Sequence, residues 1–278
     1  MTGLLDLPVE VLLDLQSYVN QSHAATQLLY EVQLDALSAS LPLACRRLHA
    51  VFQASPPSLK AQYILHHVQP TRSIAEVVSL ALRFPICCEK VLDVILRDWS
   101  SEAEDSSQPR SRSTELPRRL FRNLAPRTSN EHAYTENDAP FPLLRFLFAD
   151  ERIANLDADS HAGYGLARAV HAEFMPLVRL LLAKGASPAN KKGLAVMIAV
   201  RKKNLALVKL LVEREEMDDL GRPRTGTSAK RRKLEDRVEV TAEMLKVAVK
   251  AKARDISDYF MHEKGVVPDM QTLNMLMR

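Results

Sequence analysis

From Leu7 the apolar residues Leu7, Val11, Leu12, Leu15 and Val19 recur at helical spacing, so one apolar stripe runs along a helix from about Pro8 to Val19. Pro8 suits the first helical position, where its missing N–H costs nothing, and Glu10 sits in the first turn, where the helix dipole favours a carboxylate. A second stripe, Leu41, Cys45, Leu48 and Phe52, falls on one helical face, with Ser40 as N-cap and Pro42 confined to the first turn. Residues 1–55 are too few for more than a thin core of their own, so these stripes need a partner. Pro56-Pro57 breaks the chain, and beyond it Leu59–Val68, Ile74–Phe84 and Cys88–Trp99 all have helical period.

Polar text interrupts this pattern three times. Residues 100–115 hold no apolar residue except Ala103 and read as a disordered loop. Thr128–Ala139 interrupts again, and Met217–Val238 carries Gly221, Pro223, Gly226 and the basic run Lys230-Arg231-Arg232-Lys233. Between the interruptions the sequence repeats itself. Pro142-Leu143-Leu144-Arg145-Phe146-Leu147-Phe148-Ala149 lines up with Pro176-Leu177-Val178-Arg179-Leu180-Leu181-Leu182-Ala183 at a spacing of 34 residues. Val178–Leu182 then lines up with Val208–Val212 at a spacing of 30. Ala169-Val170, Ala199-Val200 and Ala248-Val249 mark the preceding helix of each unit; the last interval is 49, and the Met217–Val238 insert accounts for the excess. Each unit is a short Ala-rich helix, a tight turn, a Leu-rich helix and a loop. No single unit can bury its apolar face alone, so the units are expected to pile up as an all-α solenoid of about five hairpins with polar loop insertions.

Composition adds bounds rather than new features. The 278 residues are 46% hydrophobic and 26% charged, an ordinary soluble globular balance, and only 8 are glycine, which favours helices over turn-rich β architecture. With 38 basic against 34 acidic side chains the net charge is +4, too small to argue for nucleic acid. Three cysteines, Cys45, Cys87 and Cys88, form no Cys-x-x-Cys and cannot fill the eight-ligand zinc sites of RING-type ligases. Two of them are neighbours, so a disulfide framework is not expected and a reducing compartment is. The early Asp6 and Glu10, and a first Lys or Arg only at Arg46, are unlike a signal peptide. The apolar stretch Leu194–Val200 is far short of a membrane span. An intracellular soluble protein, in the nucleus, the cytoplasm or both, is the expectation.

No catalytic motif emerges. Gly221–Ser228 copies a phosphate loop only superficially, with Thr227 where the phosphate-binding Lys belongs and no strand before it. Gly163-Tyr164-Gly165 is a repeat turn, since no third glycine follows at dinucleotide spacing. His66 and His67 are adjacent on a helix and point apart, His171 lies in the first helix of the best repeat, and Cys87-Cys88 read as small apolar residues of a helical hairpin. No catalytic residue, metal site or cofactor is expected. Lys230, Arg231, Arg232 and Lys233 fit a nuclear import signal or a simply solvated loop. Lys191, Lys192, Arg201, Lys202 and Lys203, followed by Lys250, Lys252 and Arg254, recur near the turns of successive units. They fit either a basic face for an acidic or phosphorylated substrate or ordinary solvation of hairpin turns.

The units resemble ankyrin repeats. In His161–Asn190, Ala169-Val170 fills the paired small-residue slot and Leu177–Pro188 ends as ankyrin units do, while Gly163–Ala167 stands in for the usual Gly-x-Thr-Pro-Leu-His. Gly193–Glu213 lacks the Gly-Ala ending, Thr241–Gly265 is more diverged, and the Thr-Pro-Leu-His motif is absent from all three. Hairpins at roughly 74–98 and 117–150 read as weaker members or a cap.

Residues 1–55 resemble an F-box. Leu7-Pro8-Val9-Glu10-Val11-Leu12 with Tyr18-Val19 matches the family's opening pattern, and Leu41–Phe52 its closing part, with Cys45-Arg46-Arg47-Leu48 where Cys-Arg-Arg-Trp is frequent. The gap Asn20–Leu34 is longer than usual, and Leu48 replaces the frequent Trp. The same stripe, taken by spacing alone, fits a helix capping the solenoid.

Together the resemblances imply three parts: an F-box at 1–55, helical hairpins and a polar linker at 56–115, and ankyrin-like repeats at 116–278 with a basic loop at 217–238. They imply a non-catalytic substrate-recognition subunit of an SCF (Skp–cullin–F-box) ubiquitin ligase. Leu7, Pro8, Glu10, Val11, Leu12, Leu15, Val19, Cys45, Arg46 and Leu48 would dock on the Skp adaptor, and through it a cullin, while the repeats bind a protein substrate. The alternative is an ankyrin-repeat scaffold or nuclear regulator without a ligase role. Neither reading involves a membrane or direct nucleic-acid binding.

Overall fold

The computed structural model describes residues 55–68, 73–102, 113–127, 132–153, 155–214 and 236–276. The ten residues expected to dock the adaptor, and the run Lys230–Lys233, lie outside the described residues. The chain divides into two compact units, one ending at Ser111 and the next beginning at Arg112.

The first unit is helical throughout its described part. Helix α1 (Pro57–His67) has Pro57 at its start, where a missing N–H leaves no bond unmade. Helix α2 (Ile74–Ala81) begins at Ser73, whose hydroxyl accepts the Glu76 N–H at 3.5 Å, and Glu76 completes the acidic first turn. Helix α3 (Glu89–Glu102) packs against α1, and α2 touches both. Ala61, Ile64, Val77, Leu92, Ile95 and Leu96 form the core between them, each no more than 1% exposed. Their spacing of three and four along a helix is what brings these faces together. Cys87 is buried in the α2–α3 turn, but Cys88, expected beside it inside the hairpin, is exposed just ahead of α3. His66 and His67 are exposed at the end of α1.

The described chain is mostly helical, consistent with an all-α class, and the second unit opens on one short strand pair. Thr114–Glu115, expected to belong to a polar linker, forms strand β1, paired in parallel with β2 (Leu156–Asp157). Thr114 is 1% exposed and its N–H donates to the Asn155 carbonyl at 3.0 Å. Ser160 fixes this corner, accepting the Leu116 N–H at 2.9 Å while its hydroxyl donates to the Asp157 carbonyl at 2.5 Å. A bridge of two residues has no room for an apolar alternation, so periodicity cannot announce it.

The rest of the unit is helical: α4 (Arg119–Arg122), α5 (Phe141–Ala149), α6 (Ser160–Ala172), α7 (Met175–Ala183), α8 (Asn190–Arg201), α9 (Leu205–Val212), α10 (Ala242–Lys250), α11 (Arg254–Asp258) running into a wider turn at Tyr259–Glu263, and α12 (Met270–Leu276). Helix α8 packs on α6 to one side and α10 to the other, α7 lies against α6, α9 against α8, and α11 against both α10 and α9. Ala169, Ala199 and Ala248 are fully buried, and their small side chains let neighbouring helices approach. Leu177, Val178, Leu181, Leu207, Val208 and Leu211, also fully buried, fill the space behind them.

The three helix pairs α6–α7, α8–α9 and α10–α11 turn in the same way. Glu173, Lys203 and Lys252 each adopt a left-handed backbone, with φ of 58°, 55° and 54°. The residue after each donates its N–H five residues back, Phe174 to Ala169, Asn204 to Ala199 and Ala253 to Ala248, at 3.0, 3.3 and 3.1 Å. That is the Schellman ending, which satisfies carbonyls the helix leaves open. Helices α6 and α8 also share an entry: His161-Ala162-Gly163 and Lys191-Lys192-Gly193 each make one left-handed turn. Gly163 and Gly193 donate to the Asp159 and Ala189 carbonyls at 2.9 and 3.1 Å to close these turns. Gly193 has φ of 75°, which glycine adopts without strain, and a methyl group there would stand 2.0 Å from Met244 Cε, so a larger residue would require the end of that side chain to move aside. Helix α10 itself starts differently, from Thr241, whose hydroxyl accepts the Met244 N–H at 3.4 Å.

Candidate functional site

The five residues read from sequence as one basic face are divided by the structure. Lys191 and Lys192 stand exposed in the left-handed turn that opens α8, whereas Arg201, Lys202 and Lys203 lie at its far end. At 1.5 Å per residue, ten residues put these groups about 15 Å apart along the helix. Nearness to a turn in sequence does not distinguish the two ends of a helix, which is why the five were grouped.

What the fold does bring together is the far ends of successive pairs. Because α8 packs on α10 and α9 on α11, the α8–α9 turn lies beside the α10–α11 turn. Arg201, Lys203, Lys250, Lys252 and Arg254 are exposed on these two turns, and none of them is within an ion pair among the described residues. Lys202 differs. It is half-buried and its Nζ lies 3.7 Å from Glu173, the left-handed residue of the neighbouring α6–α7 turn. That ion pair shows side chains of adjacent turns in reach of each other.

Three polar clusters gave no sign of themselves in the sequence. The first joins Lys209 and Glu213 to residues from Asp236 to Lys264. Tyr259, 2% exposed, donates its hydroxyl to Glu213 at 2.9 Å. Lys264 donates to the Asp236 carboxylate at 2.8 and 2.9 Å and lies 3.7 Å from Glu213. Lys209 pairs with Glu263 at 3.1 Å and stands 4.8 Å from the Tyr259 ring centre, within cation–π range. Burial, reinforced by the hydrogen bond to Glu213 and by the surrounding carboxylates, pushes the Tyr259 phenol far above its ordinary range. Arg237 completes the cluster: its backbone N–H donates to Val212 at 2.7 Å, and its guanidinium donates to the carbonyls of Glu213 and Leu182. The residues involved are up to 55 apart, so no local pattern links them.

In the second cluster Arg127 meets Asp138 through two contacts of 2.6 and 3.4 Å, and its guanidinium lies 3.8 Å from the centre of the Tyr134 ring, which stacks on Phe174. The hydrogen bond from Arg127, then those from Thr135, hold the Asp138 carboxyl down to about 2. The third cluster surrounds α6. Arg168 donates to the carbonyls of Phe121, Arg122 and Leu124, closing the end of α4. One turn further, His171 Nδ1 is buried without a hydrogen-bond partner, and burial, with Arg168 and Lys202 nearby, lowers its pKa.

Each of these clusters joins backbone or side chains of neighbouring elements. An open recess of about 340 Å³ lies between Lys192–Gly193 and the segment Val238–Met244, with Glu239 and Glu243 on its rim. Among the described residues no group of three or more His, Cys, Asp or Glu is placed to hold a metal ion. Nor is any described helix long and apolar enough to cross a membrane. Comparison of the chain with family models, with curated proteins and with solved structures gave no match.

Proposed function

We propose that this chain is a protein-binding helical repeat of ankyrin type, built to hold a partner rather than to transform one. The observation that carries this reading is the recurrence of one turn, bond for bond, at intervals of 30 and then 49 residues, the second interval spanning an insertion. Stacked hairpins of this sort present side chains on turns and helix faces that vary freely without disturbing the core, which is what recognition of a protein surface requires.

Within that class, the particular role proposed is the substrate-recognition subunit of a Skp–cullin–F-box ubiquitin ligase. Its support is the sequence Leu7-Pro8-Val9-Glu10-Val11-Leu12 and Cys45-Arg46-Arg47-Leu48, joined in one chain to the repeats. Such a receptor supplies no chemistry. It raises the effective concentration of substrate lysines near a charged conjugating enzyme. The test is co-purification with the Skp adaptor and a cullin, comparing the full chain, a chain lacking residues 1–55, and Leu7→Ala/Pro8→Ala. Recovery by the full chain alone supports the role; equal recovery by the double variant refutes the docking residues, and no recovery by the full chain refutes the ligase reading.

The second reading is a repeat scaffold or nuclear regulator without a ligase role. It draws on the unit from Arg112 onward, which has a buried core of its own. On either reading Lys230–Lys233 is proposed as a nuclear import signal. Changing the four to alanine should shift the protein to the cytoplasm; an unchanged distribution would leave the run as solvated chain.

A further inference from the structure

We propose that the edge formed by the α8–α9 and α10–α11 turns is a docking strip for an acidic peptide segment of a protein partner, a reading that rests on the repeats being a protein-binding surface. Arg201, Lys203, Lys250, Lys252 and Arg254 are all exposed there and without ion pairs among the described residues. On the same unit Lys202, Lys209, Lys246 and Lys264 are each committed to a carboxylate. The strip is therefore an edge where positive charge is left uncompensated while it is neutralised nearby.

Backbone conformation gives a second, independent reason. Lys203 and Lys252 occupy the left-handed position of a Schellman ending, at φ of 55° and 54°, where glycine is the favoured residue and a side chain is strained. A cation at a helix C-terminus gains from the helix dipole, but Arg201 and Lys250, the last residues of α8 and α10, already provide one there. The second lysine at the left-handed position of each turn makes no ion pair among the described residues. It does place a second charge at the tip of each turn.

Geometry suits an extended peptide. Packed helices lie about 8–10 Å apart, so lysines at matching positions are spaced by roughly that distance. Alternate side chains of an extended strand fall on one face about 7 Å apart, close enough for flexible lysine arms to reach successive carboxylates. A nucleic acid fits less well. The described residues of these turns expose no aromatic ring on which a base would stack.

The experiment uses the full chain and a fluorescein-labelled peptide of alternating Glu and Gly, followed by anisotropy, beside a Gln–Gly peptide and a single-stranded oligo-dT. The Glu peptide should bind in a salt-dependent way and the Gln peptide should not. Lys203→Gly/Lys252→Gly should weaken binding by about tenfold while leaving the melting temperature equal or higher, because glycine relieves the left-handed backbone. Arg201→Glu/Lys203→Glu should abolish it. The strip is overturned if the glycine double variant binds the Glu peptide as well as the parent does, if the parent binds Glu and Gln peptides alike or neither, or if oligo-dT binds more tightly than the Glu peptide. Failure of adaptor co-purification with intact Glu-peptide binding would remove the ligase role and leave the strip standing. The reverse pattern would remove the strip alone.

Discussion

Gly165 sits inside α6 with its α-carbon facing the ring of Phe121, and replacing it with alanine sets two opposed effects against each other. In a helix interior the change from glycine to alanine stabilises by about 1 kcal/mol. At this position the new methyl would stand 2.8, 3.0 and 3.1 Å from Phe121 Cζ, Cε2 and Cε1. Phe121 is 2% exposed and cannot swing into solvent, so either its ring or α4 must shift. Overpacking of this kind costs about 1–3 kcal/mol, which exceeds the gain in propensity at all but the low end. Gly165→Ala should therefore destabilise the unit by about 1 kcal/mol. Adding Phe121→Leu should recover part of that loss, although the leucine alone is destabilising. The coupling between the two changes, read from a double-mutant cycle, isolates the contact.

Urea unfolding followed by circular dichroism, with hydrogen exchange of the amides in α6, gives both the global and the local answer. The single tryptophan, Trp99, is in the other unit and does not report on this one. A Gly165→Ala chain that is more stable by the full propensity gain, with no coupling to Phe121, would refute the close approach.

Other expectations are equally direct. Arg168→Ala strips three carbonyls at the end of α4 of their donor and should destabilise by about 1–3 kcal/mol, with the fastest-exchanging amides appearing at Phe121–Leu124; protection there equal to the parent's would count against the clamp. Burial, with Arg168 and Lys202, keeps His171 below its usual 6.5, so its contribution to stability is whole above that pH and declines as the solution is acidified through it. His171→Gln should flatten the fall in stability between about pH 7 and 5, and an unchanged slope would contradict the assignment. Asp138 is held down to about 2, so its contribution is present above its ordinary value of 3.8 and lost as the pH falls toward 2. Asp138→Asn should remove that acid-dependent loss; an unaltered acid limb would show that Arg127 does not need the charge.

The helices of the repeat region were legible because their apolar faces are wide and repeated. Ala169-Val170 and Ala199-Val200, thirty residues apart, announce α6 and α8, and the Leu-rich runs after them announce α7 and α9. What escaped has no period to detect. Strands β1 and β2 pair over two residues. The left-handed entry to α6 and α8 is marked in sequence only by Gly163 and Gly193, while His161, Ala162, Lys191 and Lys192 share the same backbone without any compositional sign. The basic face was half legible. Periodicity located Arg201, Lys203, Lys250 and Lys252 beside turns, but only the packing of α8 on α10 says that they share one edge, and that Lys191 and Lys192 do not. The Tyr259 cluster joins Glu213 to residues on the far side of an insertion, and no linear pattern carries such a pairing.

That cluster has a consequence for how the repeats vary. The Arg237 N–H meets the Val212 carbonyl at 2.7 Å, and Asp236 is clasped by Lys264, so the residues that flank 215–235 are held side by side. For a segment joined at its ends, doubling the length adds only about 0.6 kcal/mol of closure entropy. Residues gained or lost between those anchors leave the turns on either side in step, as the jump from a 30- to a 49-residue interval already illustrates. The clasp makes this point a natural port, where a reporter, a tag or a new recognition sequence can be spliced into the protein without disturbing the stack that carries it.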